Sequence, residues 1–160
     1  MNNFSMIILT IGIPGSGKTY WVNEYKKTHP LTFVVSTDAI RLELTGHEEC
    51  IDPSQNDLIH EEARKRVKEI LENPEHYNGS RGLGPEIIVD STNVDVLEWI
   101  KYKQLGATLI ICKLFNTTPE QAMKNQEKRE RVVPLDILVM KWETLEHNKK
   151  FLPNIFNMIL

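Results

Sequence analysis

Four apolar runs divide the chain, and stretches of helical periodicity separate them. The first, Met6–Ile11, is interrupted only by Thr10, and the fourth, residues 107–115, is nearly all apolar. Residues 32–36 and 86–90 are shorter runs of the same kind. Runs without polar alternation fit strands buried on both faces, as in a parallel sheet covered by helices. Alternation of such strands with helical segments predicts an α/β, doubly wound fold with a central parallel sheet of four or five strands.

The helices follow from periodicity and breakers. One runs from residue 18 to about 28 and stops at His29-Pro30, and a short one covers 39–45 and ends at Gly46. A third is expected from a Ser54 cap to about residue 73, with Leu58, Ile59, Ala63, Val67, Ile70 and Leu71 on one face. Its other face carries Arg64, Lys65, Arg66 and Lys68. Further helices are expected over 94–105, over 119–128 with Pro119 at the first position, and from Pro134 to about 146. Residues 75–85 read as a glycine-bearing loop, and the apolar tail, 151–160, as packing on the domain.

Composition narrows the class. The 160 residues suit a single domain over 1–160, and 41% hydrophobic with 26% charged residues suits a globular core. The net charge of −3 argues against a general polyanion coat, so any polyanion site is a local patch. Two cysteines, Cys50 and Cys112, fit no metal spacing; Cys112 falls in an apolar run and reads as core. No disulfide framework, no signal sequence and no membrane-length apolar run are legible, which makes a cytoplasmic location the expectation.

Chemistry first appears just after the first run. Gly12-Ile13-Pro14-Gly15-Ser16-Gly17-Lys18-Thr19 matches G-x-x-x-x-G-K-[ST] in full. Glycines let the loop bend so that bare N–H groups reach phosphate oxygens. The helix that follows directs its positive end at the same phosphates. Gly12, Pro14, Gly15, Ser16, Gly17, Lys18 and Thr19 are therefore candidate ATP-binding residues, with Lys18 at the β/γ-phosphates and Thr19 on Mg²⁺.

Three more stretches stand at strand ends, where ligands bind in a doubly wound sheet. Asp38, after the second strand, has Arg41 three residues on. A carboxylate there suits a general base on an attacking hydroxyl, and Arg41 an acceptor phosphate; a helix cap paired with Arg41 is the bland alternative. Ile87-Ile88-Val89-Asp90 has the Walker-B form, in which the aspartate holds Mg²⁺; a helix cap at Asp90, Ser91 or Asn93 is its alternative. Residues 128–134 form a basic connection with Arg129 and Arg131, suited to a lid over transferring phosphates; a solvated charged turn is the alternative.

These four pieces, in this order, resemble the 5′-kinase domain of the bacteriophage-type polynucleotide kinase family: IILTIGIPGSGKT, Asp38 with Arg41, Asp90-Ser91-Thr92-Asn93, and the arginine lid running into Val133-Pro134. The resemblance spans most of the chain. It implies ATP and Mg²⁺ as cofactors, with Lys18 and Thr19 on phosphates and metal. It further implies Asp38 as base on a nucleic-acid 5′-hydroxyl, Arg41 on the acceptor's phosphate, a lid arginine on the donor, and Asp90 positioning it. The Asp-x-Asp of the phosphatase domain fused to this kinase in that family occurs nowhere here, so kinase activity alone is expected. Small kinases of this architecture also act on sugars, antibiotics or metabolites, with an acceptor pocket expected from segments 42–60 and 75–85. A nucleotide-binding switch is the rival from another class; it needs no base facing an acceptor, whereas a kinase needs Asp38.

Overall fold

A computed structural model describes residues 4–49, 52–76 and 84–160. Five parallel strands make one sheet: β1 (Met6–Ile11), β2 (Phe33–Ser36), β3 (Glu86–Asp90), β4 (Leu109–Leu114) and β5 (Met158–Ile159). Their order is β2-β3-β1-β4-β5. The chain leaves β1 toward β2 and β3 and later crosses back to β4, which creates a crevice at the carboxyl ends of β1 and β3. Ser36 lies level with Asp90 in the β2–β3 register, so the segments following both strands emerge side by side.

Seven α-helices are described: α1 (Lys18–Thr28), α2 (Thr37–Thr45), α3 (Asn56–Glu72), α4 (Val96–Lys103), α5 (Pro119–Gln126), α6 (Leu135–Asn148) and α7 (Leu152–Ile155). The two faces of the sheet are filled by opposite parities of the strands. Ile7, Leu9, Ile11, Ile87 and Val89 pack with Ile59, Ala63 and Val67 of α3 and with Trp99 and Tyr102 of α4. Ile8, Ile88 and Ile111 pack beneath Val22, Trp21 and Tyr25 of α1. Cys112 is buried as the apolar run predicts, and burial pushes its thiol pKa up to about 12, an inert core thiol.

Several boundaries differ from the sequence reading, each for a local reason. Ser54 is not the cap of the third helix. Asp52 caps a 3₁₀ turn, Pro53–Gln55, by accepting from the Ser54 N–H (2.9 Å), and α3 grows out of that turn. α4 starts later than residue 94 because Asp95 caps it, accepting from the Leu97 N–H at 2.9 Å. α5 ends at Gln126, which leaves Glu127 and Lys128 to the following loop. Leu58, placed on the apolar face of α3, is 57% exposed.

The tail does more than pack. Leu152 and Ile155 join the core, and β5 adds the fifth strand alongside β4, with the Leu160 N–H donating to the Cys112 carbonyl at 2.8 Å. Cys50 and most of the 75–85 loop, residues 77–83, lie outside the described residues. Among the described residues no helix is long and apolar enough to cross a membrane.

Candidate active site

The phosphate loop is built by two left-handed glycines and a helix start. Gly15 (φ 79°) and Gly17 (φ 91°) turn the chain so that α1 begins at Lys18. Gly15 has a second constraint. A Cβ there would stand 2.8 Å from the Ala122 carbonyl oxygen of α5. α5 thus backs the loop directly, and Asn125 fastens it by donating to the Gly15 carbonyl at 2.8 Å. Ile13 of the loop is buried between Ala122 and Leu138 of the helices that flank the lid.

Lys18 curls back over this loop. Its Nζ donates to the carbonyls of Gly12 (2.9 Å) and Ile13 (2.7 Å) and to Ser16 Oγ (3.3 Å). Burial drives its pKa down from 10.5 to about 8; Asp90 and Asp38 oppose that shift, and Arg129 adds to it. Next to it, Thr19 Oγ1 donates to Asp90 Oδ2 at 3.0 Å. Burial raises the Asp90 pKa, and the Thr19 hydrogen bond and the Lys18 charge work against that rise.

A residue the sequence reading passed over positions Asp90. Thr10 Oγ1 lies 3.1 Å from the carbonyls of both Val89 and Ser91, on either side of Asp90, sharing its one proton between them, and accepts the Ser91 N–H at 3.3 Å. Asn93 adds a second tie. It sits at φ 50°, which asparagine tolerates, and donates to the Thr10 carbonyl at 3.0 Å. Neither Asp90, Ser91 nor Asn93 caps α4, because Asp95 does. The legible signal was Thr10 itself, the one polar residue in an otherwise apolar strand.

Asp38 lies in the first turn of α2, and it is not the cap: Ser36 Oγ accepts the Ala39 N–H at 3.2 Å. The Asp38 carboxylate is 60% exposed and pairs with Arg41 at 3.0 Å. Arg41 is nearly buried. It also donates to Asn56 Oδ1 at 3.0 Å and to the Glu48 carbonyl at 3.4 Å, so its guanidinium is largely committed to orienting its own surroundings.

Arg129 and Arg131, in the basic loop after α5, face different ways. Arg131 reaches across to α2, donating to the Glu48 carbonyl at 2.8 Å and standing 3.8 Å from Asp38 Oδ1. Arg129 makes no ion pair among the described residues and stands close enough to Lys18 to repel its charge. The basic face of α3 is partly paired within the protein, with Lys65 exposed and in no ion pair among the described residues. Arg64 pairs with Glu98, Arg66 with Glu62 and Glu43, and Lys68 with Glu72.

A cleft of about 470 Å³ has the phosphate loop on one wall, Asp38 and Asp90 on another, and Arg129 and Arg131 above; Arg41 stands behind Asp38, outside the described lining. A second cavity of about 440 Å³ opens beside Asp38, lined by Ala39, Leu42, Glu43 and Glu48. Its lining takes residues 42, 43 and 48 from the first segment expected to form an acceptor pocket; of the second, residues 77–83 are outside the description.

The Thr19 hydroxyl and Asp90 carboxylate are hard oxygen donors of the kind Mg²⁺ takes when substrate phosphates and water complete its shell. The three oxygens around Lys18 Nζ are stand-ins for the phosphate oxygens a nucleotide would offer. The residues therefore fit a magnesium-bound nucleoside triphosphate. Fold and cleft define a P-loop kinase-like nucleotide-binding domain.

The family model described as an AAA domain matches residues 7–145, and the chain belongs to that family. Among solved structures, a chain of "Structure of the Pnkp1/Rnl/Hen1 RNA repair complex" aligns with a TM-score of 0.75 at 20% identity, covering 94% of this chain and 47% of that one. A chain of "Structure of Pnkp1/Rnl/Hen1 complex" aligns at 0.61 with 21% identity, over 82% of this chain and 43% of that one. A gluconokinase from Sinorhizobium meliloti 1021 aligns at 0.59 with 15% identity, over 92% and 77%. This chain thus spans about half the length of the repair-complex chains it matches. At these identities the likeness is one of fold.

Proposed function

We propose that this domain transfers the γ-phosphoryl of ATP to a hydroxyl, and that the acceptor is the 5′-hydroxyl end of a polynucleotide. One observation carries the transfer reading. Asp38 is an exposed carboxylate in the wall of the cleft that also holds Lys18 and Thr19, and its helix is capped by another residue, Ser36.

In this reading the acceptor oxygen attacks the γ-phosphorus, the bond to the β,γ-bridging oxygen breaks, ADP leaves, and Asp38 takes the hydroxyl proton. Lys18 binds the β/γ-phosphates, and Arg129 bears on the donor from above. Arg41 orients Asp38; its contact with an acceptor phosphate rests on the family resemblance alone. Arg131, anchored at Glu48, works on the acceptor side. Thr19 and Asp90 would hold Mg²⁺, whose charge would offset that of the phosphates.

The polynucleotide assignment rests on the four-part family resemblance, and the fold shared with a chain of an RNA repair complex supports it. An end-binding enzyme needs few phosphate contacts, so a partly paired α3 face and a net charge of −3 do not oppose it. Acceptor binding should then show a shallow salt dependence, with a log–log slope of about one to three.

A second reading, a small-molecule kinase, is favoured by the cavity beside Asp38. Its described lining includes the carboxylates of Asp38, Glu43, Glu48 and Asp90 and no basic side chain, which suits a neutral or cationic polyol. The experiment offers ATP and Mg²⁺ with 5′-hydroxyl DNA and RNA oligonucleotides, 3′-phosphorylated nucleosides, sugars and aminoglycosides. Oligonucleotide phosphorylation is expected. Phosphorylation of a small polyol with no oligonucleotide labelling would move the assignment to the second reading. Slow ATP hydrolysis indifferent to every acceptor would move it to a nucleotide switch.

A further inference from the structure

Gln126, the last residue of α5, is 1% exposed and borders the phosphate cleft, yet no motif singles it out. It holds both ends of the lid. Its main-chain carbonyl accepts the Arg129 N–H at 2.8 Å, and its side-chain Oε1 accepts the Val133 N–H at 3.0 Å. A backbone N–H can only donate, so chemistry fixes which end of the amide faces Val133. The intervening residues, with Arg129 and Arg131 among them, form a loop closed at its base by this one residue. The same residue touches the phosphate loop: a Cβ on Gly15 would lie 3.1 Å from Gln126 Cγ, and the preceding Asn125 binds the Gly15 carbonyl at 2.8 Å.

We propose that Gln126 is a positioning residue that ties the lid to the phosphate loop, so that Arg129 and Arg131 are carried in fixed register over the phosphates. The idea rests on the phosphoryl-transfer reading for its effect on rate, but not for its effect on the lid itself. Without the Oε1 acceptor the Val133 N–H is left without its partner, and the loop is held at one end only.

The test has an arm that needs no turnover. Gln126→Met keeps the length and removes the acceptor. With ADP and Mg²⁺ present, trypsin cleavage after Arg129 and Arg131 should speed up by about fivefold or more, while cleavage elsewhere keeps its rate. In the kinase assay kcat should fall about tenfold with ADP affinity little changed, whereas in an Arg129→Ala/Arg131→Ala background the same substitution should cost less than about twofold. Unchanged lid cleavage, or an equal loss in both backgrounds, overturns the proposal. Should Gln126→Met fail to fold, Gln126→Leu carries the test, because it too lacks the acceptor for the Val133 N–H. Faster lid cleavage then supports the proposal, and lid cleavage at the wild-type rate overturns it. Altered lid cleavage in a protein that phosphorylates no acceptor would sink the kinase reading alone.

Discussion

Lys18 is a buried cation whose pKa falls to about 8, and nucleotide affinity should inherit that value. In the free protein its ammonium is held by two carbonyls and a hydroxyl, which do not offset the loss of water. Bound phosphates supply formal negative charge and keep the proton on. Binding at high pH must then take up a proton. With a free-state pKa of about 8, the protonated fraction falls from about three-quarters at pH 7.5 to about 3% at pH 9.5. The affinity for ADP·Mg²⁺ should weaken about 25-fold over that span, which lies above the phosphate pKa of about 6. At pH 8 about half a proton should be taken up per ADP, visible in calorimetry as an enthalpy that depends on the buffer's ionisation heat. Lys18→Met should bind weakly with no such pH dependence. Affinity constant within about twofold from pH 7.5 to 9.5, or parallel profiles for wild type and Lys18→Met, would refute the reasoning.

The same shift acts on folding, with a definite sign. The folded pKa, about 8, lies below the ordinary 10.5, so the unfolded chain binds more protons between those values. Unfolding free energy in the absence of nucleotide should therefore rise with pH across this window, by about 3 kcal/mol from Lys18 alone. Denaturant titrations of wild type and Lys18→Met at pH 7.5 and 10 would isolate the difference.

Asp38→Asn should lower kcat by about 10²- to 10⁴-fold, while the protein stays folded because Ser36 supplies the cap and only the Arg41 ion pair is weakened; steady-state kinetics with a thermal melt checks both halves. Arg129→Ala should lose more than about tenfold in kcat with acceptor KM little changed, whereas Arg131→Ala should raise acceptor KM; a reversed pattern would exchange their roles. Gly15→Ala should cost about 1–3 kcal/mol in denaturant unfolding, since its Cβ would meet the Ala122 carbonyl at 2.8 Å from a left-handed backbone.

The strands and the phosphate loop were legible because both are local signals. Met6–Ile11 reads as a buried strand from its own composition, and the loop's spacing is set by the phosphates it must wrap. Caps were less legible where several candidates stood together. Asp52 and Ser54 both suit a cap, and only the turn at Pro53 decides for Asp52. The same crowding hid Asp95 behind Asp90, Ser91 and Asn93. On the basic face of α3 the ion pairs were hidden for a different reason: Glu98 and Glu43, the partners of Arg64 and Arg66, come from other elements, and periodicity along one helix does not reveal them. The tail strand β5 was hidden by brevity, since two residues give no period. Gln126 was hidden because its contacts, to the main-chain N–H groups of Arg129 and Val133, are made by the fold.

A net charge of −3 and a polyanionic donor are reconciled by where the charges stand. Lys18 and Arg129 stand within range to repel each other, and Asp90 and Asp38 face them with fields that favour the Lys18 charge. Arg131 and Arg41 both sit against Asp38, at 3.8 and 3.0 Å, so that carboxylate is held between two guanidinium groups. In the proposed transfer, a phosphoryl group moving from the loop toward Asp38 would travel between cations at each end, and Asp38 would lose charge on taking the proton as the acceptor gains it. Such an arrangement stabilises a charge in transit without needing a basic surface. It also concentrates the cost of desolvation at one buried ammonium, Lys18, which is why the pH dependence of that single group is the sharpest probe of the site.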